Sequence, residues 1–170
     1  DEAVHRKGYI FRGWFTDKKF TKPVWTPGDE VPPARALNNL TLYAKWEAKN
    51  YYVALHANAD DAYILVNDVS SGGQRPSPTD FVSATYGKAM ALTAKAIRPG
   101  YTFKGWAETA DGAVKYKSGT KYKSFAEDPK KNETINLYAV WSINTYTLKL
   151  NVSGGTVDDQ TVKKNVATIK

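Results

Sequence analysis

Two histidines, His5 and His56, are the residues best suited to metal or acid–base chemistry in this 170-residue chain. A metal site at His56 would have to draw on Asp60 and Asp61, the carboxylates that follow it. One imidazole and two adjacent acids do not make a ligand spacing, so the stretch reads as a polar surface turn. Asp158-Asp159 follows Gly154-Gly155 and reads as hairpin turn chemistry. The chain has no cysteine. That excludes disulfides, thiolate zinc sites, iron–sulfur clusters and thiol catalysis. A serine nucleophile needs a positioned base, and neither histidine lies near a GxSxG-like turn. Paired acids for glycoside hydrolysis would need a cleft, for which units this small leave little room. The expectation is a non-enzyme with no metal and no cofactor.

Binding chemistry is better represented. Trp25 sits in PVWTPGDE, where an exposed indole would stack on a sugar or anchor a protein partner, and a buried one would cap a core. Lys115, Lys117, Lys121 and Lys123, with Lys130 and Lys131 beyond them, alternate with Tyr116 and Tyr122. Basic residues interleaved with aromatics suit anionic polymers. The competing reading is a solvated edge hairpin carrying lysines against aggregation. Glu127 and Asp128 inside the cluster and the absence of a nucleic-acid motif favour the hairpin, so no nucleic-acid partner is expected. The net charge of +7 is spread along the chain. Asn39, Asn132 and Asn151 open Asn-x-Thr/Ser triplets, which matter only in a eukaryotic secretory setting.

The elements that must carry these residues are repeated. GYIFRGW at Gly8–Trp14 returns as GYTFKGW at Gly100–Trp106, and LTLYAKW at Leu40–Trp46 returns as INLYAVW at Ile135–Trp141. The offsets are 92 and 95 residues. In the second phrase, period-2 alternation places Leu40, Leu42, Ala44 and Trp46, and in the later copy Ile135, Leu137, Ala139 and Trp141, on one strand face. Tyr51, Val53 and Leu55 alternate in a further strand, echoed by Tyr146, Leu148 and Leu150. In GYTFKGW, Tyr101 and Phe103 share a face, while Thr102, Lys104 and Trp106 take the other. Gly105 predicts a bulge able to re-aim Trp106. Pro99-Gly100 predicts a turn into the strand. With 13% aromatic residues, including five Trp and eleven Tyr, the core must pack ring on ring.

Helix evidence is thin: Phe81–Ile97 is alanine-rich but contains Gly87, and Lys88–Ala94 is read as a strand. Thr26–Pro33 and Ser70–Pro78, rich in Pro, Gly and Ser, are read as loops. No apolar run of transmembrane length is present, and no signal peptide, sorting signal or lipidation motif is seen. The start at Asp1 suggests an excised piece of a longer chain.

The doubled GYTFxGW and TLYAxW phrases resemble the Listeria–Bacteroides repeat, the internalin B-type repeat of bacterial surface proteins. The resemblance covers residues 8–49 and 84–150 and fades over Ala57–Asp80, which reads as an insertion with its own hairpin at Ala62–Asn67. It implies an α+β, β-dominated fold of tandem small β-grasp (ubiquitin-like) units on secreted or surface-anchored proteins, with no catalytic residues to carry over. The implied location is extracellular, at the bacterial cell surface or cell wall, without direct membrane insertion. On the family's frame, 1–49 is the C-terminal part of one unit, 50–143 a complete unit with an insertion near 57–80, and 144–170 the N-terminal hairpin of a further unit. The two partial pieces are complementary, which leaves two expectations: the C-terminal piece completes an N-terminal piece of a neighbouring unit by strand exchange, between chains or within one, or flanking sequence completes each piece. The expected function is a stalk, spacer or adhesive module with a protein or glycan partner at the cell surface. The alternative is a module binding carbohydrate or anionic cell-wall polymer through Trp25 and Lys115, Lys117, Lys121 and Lys123.

Overall fold

The computed structural model describes residues 4–30, 40–68, 73–147, 153 and 163–165. Among them every regular element is a strand. The β-dominated expectation is met, whereas the α+β label is corrected: no helix occurs among the described residues. Alternating aromatic and β-branched residues suit a pleated, half-buried surface better than a helix. The chain divides into two compact units. The first comprises Asp1–Tyr52, Ser83–Met90 and Tyr122–Ile135; the second comprises Val53–Val82, Ala91–Lys121 and Asn136–Lys170.

In the first unit, β1 (Tyr9–Phe15) lies between β2 (Pro23–Trp25) and β3 (Tyr43–Ala48), giving the order β2-β1-β3. β1 and β3 run antiparallel, with Tyr9 opposite Ala48 and Phe11 opposite Trp46, and the register slips between Phe11 and Trp14. Gly13, at φ 112°, provides the irregularity. β3 starts at Tyr43, so Leu40 and Leu42, expected within this strand, fall outside it, and Leu40 is 48% exposed.

A four-stranded sheet has the order β10-β12-β4-β7, from β4 (Asn50–His56), β7 (Thr79–Thr85), β10 (Tyr101–Ala107) and β12 (Thr134–Ile143). Tyr51, Val53 and Leu55 of β4 are 1%, 0% and 0% exposed, as their alternation predicts. β10 pairs antiparallel with β12, with Tyr101 opposite Ile143 and Trp106 opposite Ala139. Here the register slips between Phe103 and Gly105, the expected bulge. Its effect is the one anticipated: Trp106 is turned onto the face of Phe103, with ring centroids 5.0 Å apart, and is fully buried. Gly105, at φ 142°, sits where a Cβ would come within 2.7 Å of the Tyr116 carbonyl. Leu137 and Ala139 of β12 complete this core.

The segment 57–80 does carry a hairpin, but a longer one than expected. β5 (Tyr63–Asp68) pairs with β6 (Gly73–Ser77), from Ile64 opposite Ser77 to Asp68 opposite Gly73. Most of Ser70–Pro78, read as a loop, is therefore strand. Pro76 tolerates this because β6 is an edge in the order β6-β5-β9, so its missing N–H costs no ladder bond on the open side. β9 (Ala96–Ile97) flanks β5. The strand expected over Lys88–Ala94 contracts to β8 (Met90–Ala91), which pairs with β11 (Lys121–Tyr122). β13 (Thr145–Thr147) pairs with β14 (Lys163–Asn165). Leu148, Leu150, Asp158, Asp159 and Val31–Pro33 lie outside the described residues.

Candidate functional site

The residues that converge most closely lie around the start of β1, in the first unit. Gly8 adopts φ 74°, a left-handed conformation that glycine takes without strain. Its N–H donates to Asp128 Oδ1 at 2.8 Å. The same carboxylate accepts from Lys49 Nζ at 2.9 Å, and its other oxygen lies 3.2 Å from His5 Nε2. Lys7 forms an ion pair with Glu127. The Gly8 N–H and then the Lys49 ammonium hold the Asp128 carboxyl at about 2, well below the usual carboxylate range.

Packing supports the polar contacts. The Tyr86 ring occupies the place a Gly8 Cβ would take, so glycine is required for close approach as well as for φ. Tyr9 meets Tyr86 edge-on at 5.6 Å, and Arg6 lies over the Tyr9 ring at 4.0 Å. Lys49 N donates to the Gly8 carbonyl at 2.9 Å, and Tyr86 N to the Lys49 carbonyl at 3.0 Å. The acidic turn is itself anchored. Phe125, 1% exposed, donates its N–H to the Tyr51 hydroxyl at 3.0 Å, and Ser124 Oγ lies 3.2 Å from that hydroxyl. The arrangement clamps backbone, with the Asp128 carboxylate holding the Gly8 amide. Local sequence does not flag Asp128: its partners Gly8 and Lys49 are 120 and 79 residues away.

Trp25 stands opposite Trp14 across β1 and β2 and stacks on Phe11 at 5.8 Å and 27°. Phe11 also meets Trp14 at 5.5 Å and Trp46 at 5.4 Å. The four rings form one half-buried cluster. Trp25 Nε1 donates to the Asp29 carbonyl at 3.1 Å, and the Thr26 hydroxyl and N–H lower the Asp29 carboxyl below its ordinary value.

Within the second unit, Tyr116 does not share the exposure of Lys115 and Lys117. Tyr116 is 5% exposed and turned inward, bridged to Trp106 through Trp106 N to Tyr116 O at 2.8 Å. Lys115 pairs with Glu108 at 2.6 Å, a contact that raises the ammonium and lowers the carboxyl from their ordinary values. Lys117, Lys121 and Lys123 are exposed. Lys121 lies on β11, and the Lys123 carbonyl accepts from Gly87 N at 2.9 Å.

His56 is half-buried, with Nε2 2.9 Å from Asn136 Oδ1 and Nδ1 3.3 Å from Thr79 Oγ1. It stacks on Tyr138 at 4.9 Å. Asp61 instead takes Arg98, at 2.7 Å. Among the described residues no group of three or more His, Asp or Glu is placed to hold a metal.

Comparison with known proteins agrees with the doubled phrases. The Listeria-Bacteroides repeat domain matches residues 1–45 and again 67–140. A protein of Evansella cellulosilytica described as a Gly-rich membrane protein is 31% identical over 150 residues, covering 88% of this chain and 14% of its own length. A second membrane protein of that organism is 28% identical over 152 residues, covering 88% of this chain and 18% of its own. Internalin H of Listeria monocytogenes is 35% identical over 94 residues, covering 55% of this chain and 15% of its own. The chain thus spans less than a fifth of the length of each of these relatives. No solved structure matches it. Among the described residues no helix is long and apolar enough to cross a membrane. The doubled strands, their bulge glycines and these matches together place the chain in the Listeria-Bacteroides repeat family.

Proposed function

We propose that the chain is a non-catalytic stalk, spacer or adhesive repeat module of a secreted or surface-anchored bacterial protein, built of small β-grasp-like units. One observation carries this reading: the residues of the repeated phrases are spent on the fold. Trp106, Leu137 and Ala139 are 0% exposed, and Gly8, Gly13, Gly100 and Gly105 all take positive φ. Residues that recur to build cores and tight backbone approaches make a good tandem spacer, in which each unit stacks on its neighbour. On this frame residues 1–49 close one unit, 50–143 form the next and 144–170 open another. The similarity to membrane-associated proteins and to an internalin agrees with a place at the cell surface.

The test is a display experiment. A small binding head is presented on a bacterial surface on one copy of this chain, or on several in tandem. Capture of the head by a large antibody should rise with copy number. Capture independent of copy number would overturn the spacer reading.

A further inference from the structure

Each residue of the Gly8 cluster that comes from the first copy has a counterpart near Gly100. Arg6, Gly8 and Tyr9 correspond to Arg98, Gly100 and Tyr101, and Ala48, Lys49 and Tyr51 to Ile143, Asn144 and Tyr146. The backbone geometry is reproduced in detail. Gly8 and Gly100 have φ 74° and 75°. Tyr9 N donates to Arg6 O at 3.0 Å, and Tyr101 N to Arg98 O at 3.2 Å. Lys49 N donates to Gly8 O, and Asn144 N to Gly100 O, both at 2.9 Å. The guanidinium lies over the ring in both cases, 4.0 Å from Tyr9 and 3.7 Å from Tyr101.

Coverage differs. Gly8 is buried and Gly100 half-buried. Tyr51 is 1% exposed, whereas Tyr146 is 43% exposed and the adjacent Ile143 41%. In the first unit the covering groups are the Tyr86-Gly87 turn and the Ser124–Asp128 turn.

From this internal template we infer that Arg98, Gly100, Tyr101, Ile143, Asn144 and Tyr146 form a socket for the Tyr-Gly turn and the acidic turn of a following repeat unit in the same polypeptide. The inference rests on the spacer reading and supplies its joint. A second copy of this chain is a poor occupant, because its own Asp128 is already held by Gly8 and Lys49. The socket is less charged than its template: Pro99 replaces Lys7 and Asn144 replaces Lys49, with Asn144 Oδ1 accepting from Thr102 Oγ1 at 2.6 Å. Docking there depends more on rings and backbone.

A tandem in which residues 1–147 run directly into 53–170 keeps the repeat register and supplies both turns after the socket. Hydrogen exchange at the Gly100 amide should slow at least about tenfold relative to the 170-residue chain, and Tyr146 should become inaccessible to solvent quencher. Asp→Asn at the added copy of Asp128 should return part of that protection. Unchanged Gly100 exchange in a tandem whose units are folded, judged by Trp106 burial, would overturn the socket. So would failure of this tandem and of a 1–144/50–170 tandem to fold when the single chain does. Unchanged exchange leaves the spacer reading standing, since loosely jointed units still extend a head; that reading fails only on the display experiment.

Discussion

The amide of Gly8 and the carboxylate of Asp128, 120 residues apart in sequence, meet at 2.8 Å. A carboxylate that accepts from an amide and an ammonium favours its ionised form. Because the folded Asp128 value of about 2 lies below its ordinary one, its contribution is present above about pH 4 and lost as pH falls toward 2. In a carboxyl-carbon NMR titration, Asp128 should have a midpoint near 2, moving upward in Lys49→Ala. An unshifted midpoint in that variant would remove Lys49 from the account.

Gly8→Ala should destabilise by more than Gly28→Ala. Both positions have positive φ, which costs an alanine about 1–3 kcal/mol. At Gly28 an added Cβ meets nothing within 4 Å, whereas at Gly8 it collides with the Tyr86 ring. Urea midpoints of the two variants measure the difference, and adding Tyr86→Ala to Gly8→Ala should recover only the collision.

Tyr51→Phe should cost about 0.5–1.5 kcal/mol, because the hydroxyl's contacts with the Phe125 N–H and Ser124 Oγ are lost while the ring stays. Tyr52→Phe, at a position 43% exposed, should lie within about 0.5 kcal/mol of the parent. Equilibrium unfolding followed by tryptophan fluorescence separates them. Equal losses would mean that the Tyr51 hydroxyl does not anchor the acidic turn.

The copies should respond unequally to the same deletion. Trp106→Ala empties a fully buried site and should cost about 3–5 kcal/mol. Trp14→Ala, at the equivalent but half-buried position, should cost clearly less. Denaturant titrations of both variants test the ranking, and equal costs would contradict the burial difference.

Period-2 alternation made one face of β4 (Tyr51, Val53, Leu55) and of β12 (Leu137, Ala139) legible, because the side-chain period is fixed, although Ala54 on the other face of β4 is buried too. The bulge at Gly105 was legible too, since a glycine within a strand has few other uses. β6 was not, because Gly73, Pro76 and their neighbours carry loop composition, and only the place of β6 at a sheet edge makes them tolerable. The helical component implied by family resemblance does not appear among the described residues, where aromatic alternation prevails. Of the candidate residues, the interleaving of Lys115 and Lys117 with Tyr116 suggested a shared surface, yet period 2 turns the ring inward as readily as outward. The Gly8–Asp128 clamp left no local trace. Its acid stands among lysines in sequence, and only the tertiary path selects which cation it meets.

The span between Gly8 and Asp128 also sets a timetable for biogenesis. A ribosome adds about 5–20 residues per second, so Gly8 waits on the order of ten seconds for Asp128 to be made. Until then the first copy lacks its acidic latch, although the Tyr86 ring has been made 42 residues earlier and its aromatic strands are already out. Sequence-distant closures of this kind also fold slowly, because loop entropy is lost before contacts compensate. The moment at which the early copy can close is therefore written some 120 codons downstream of its first glycine.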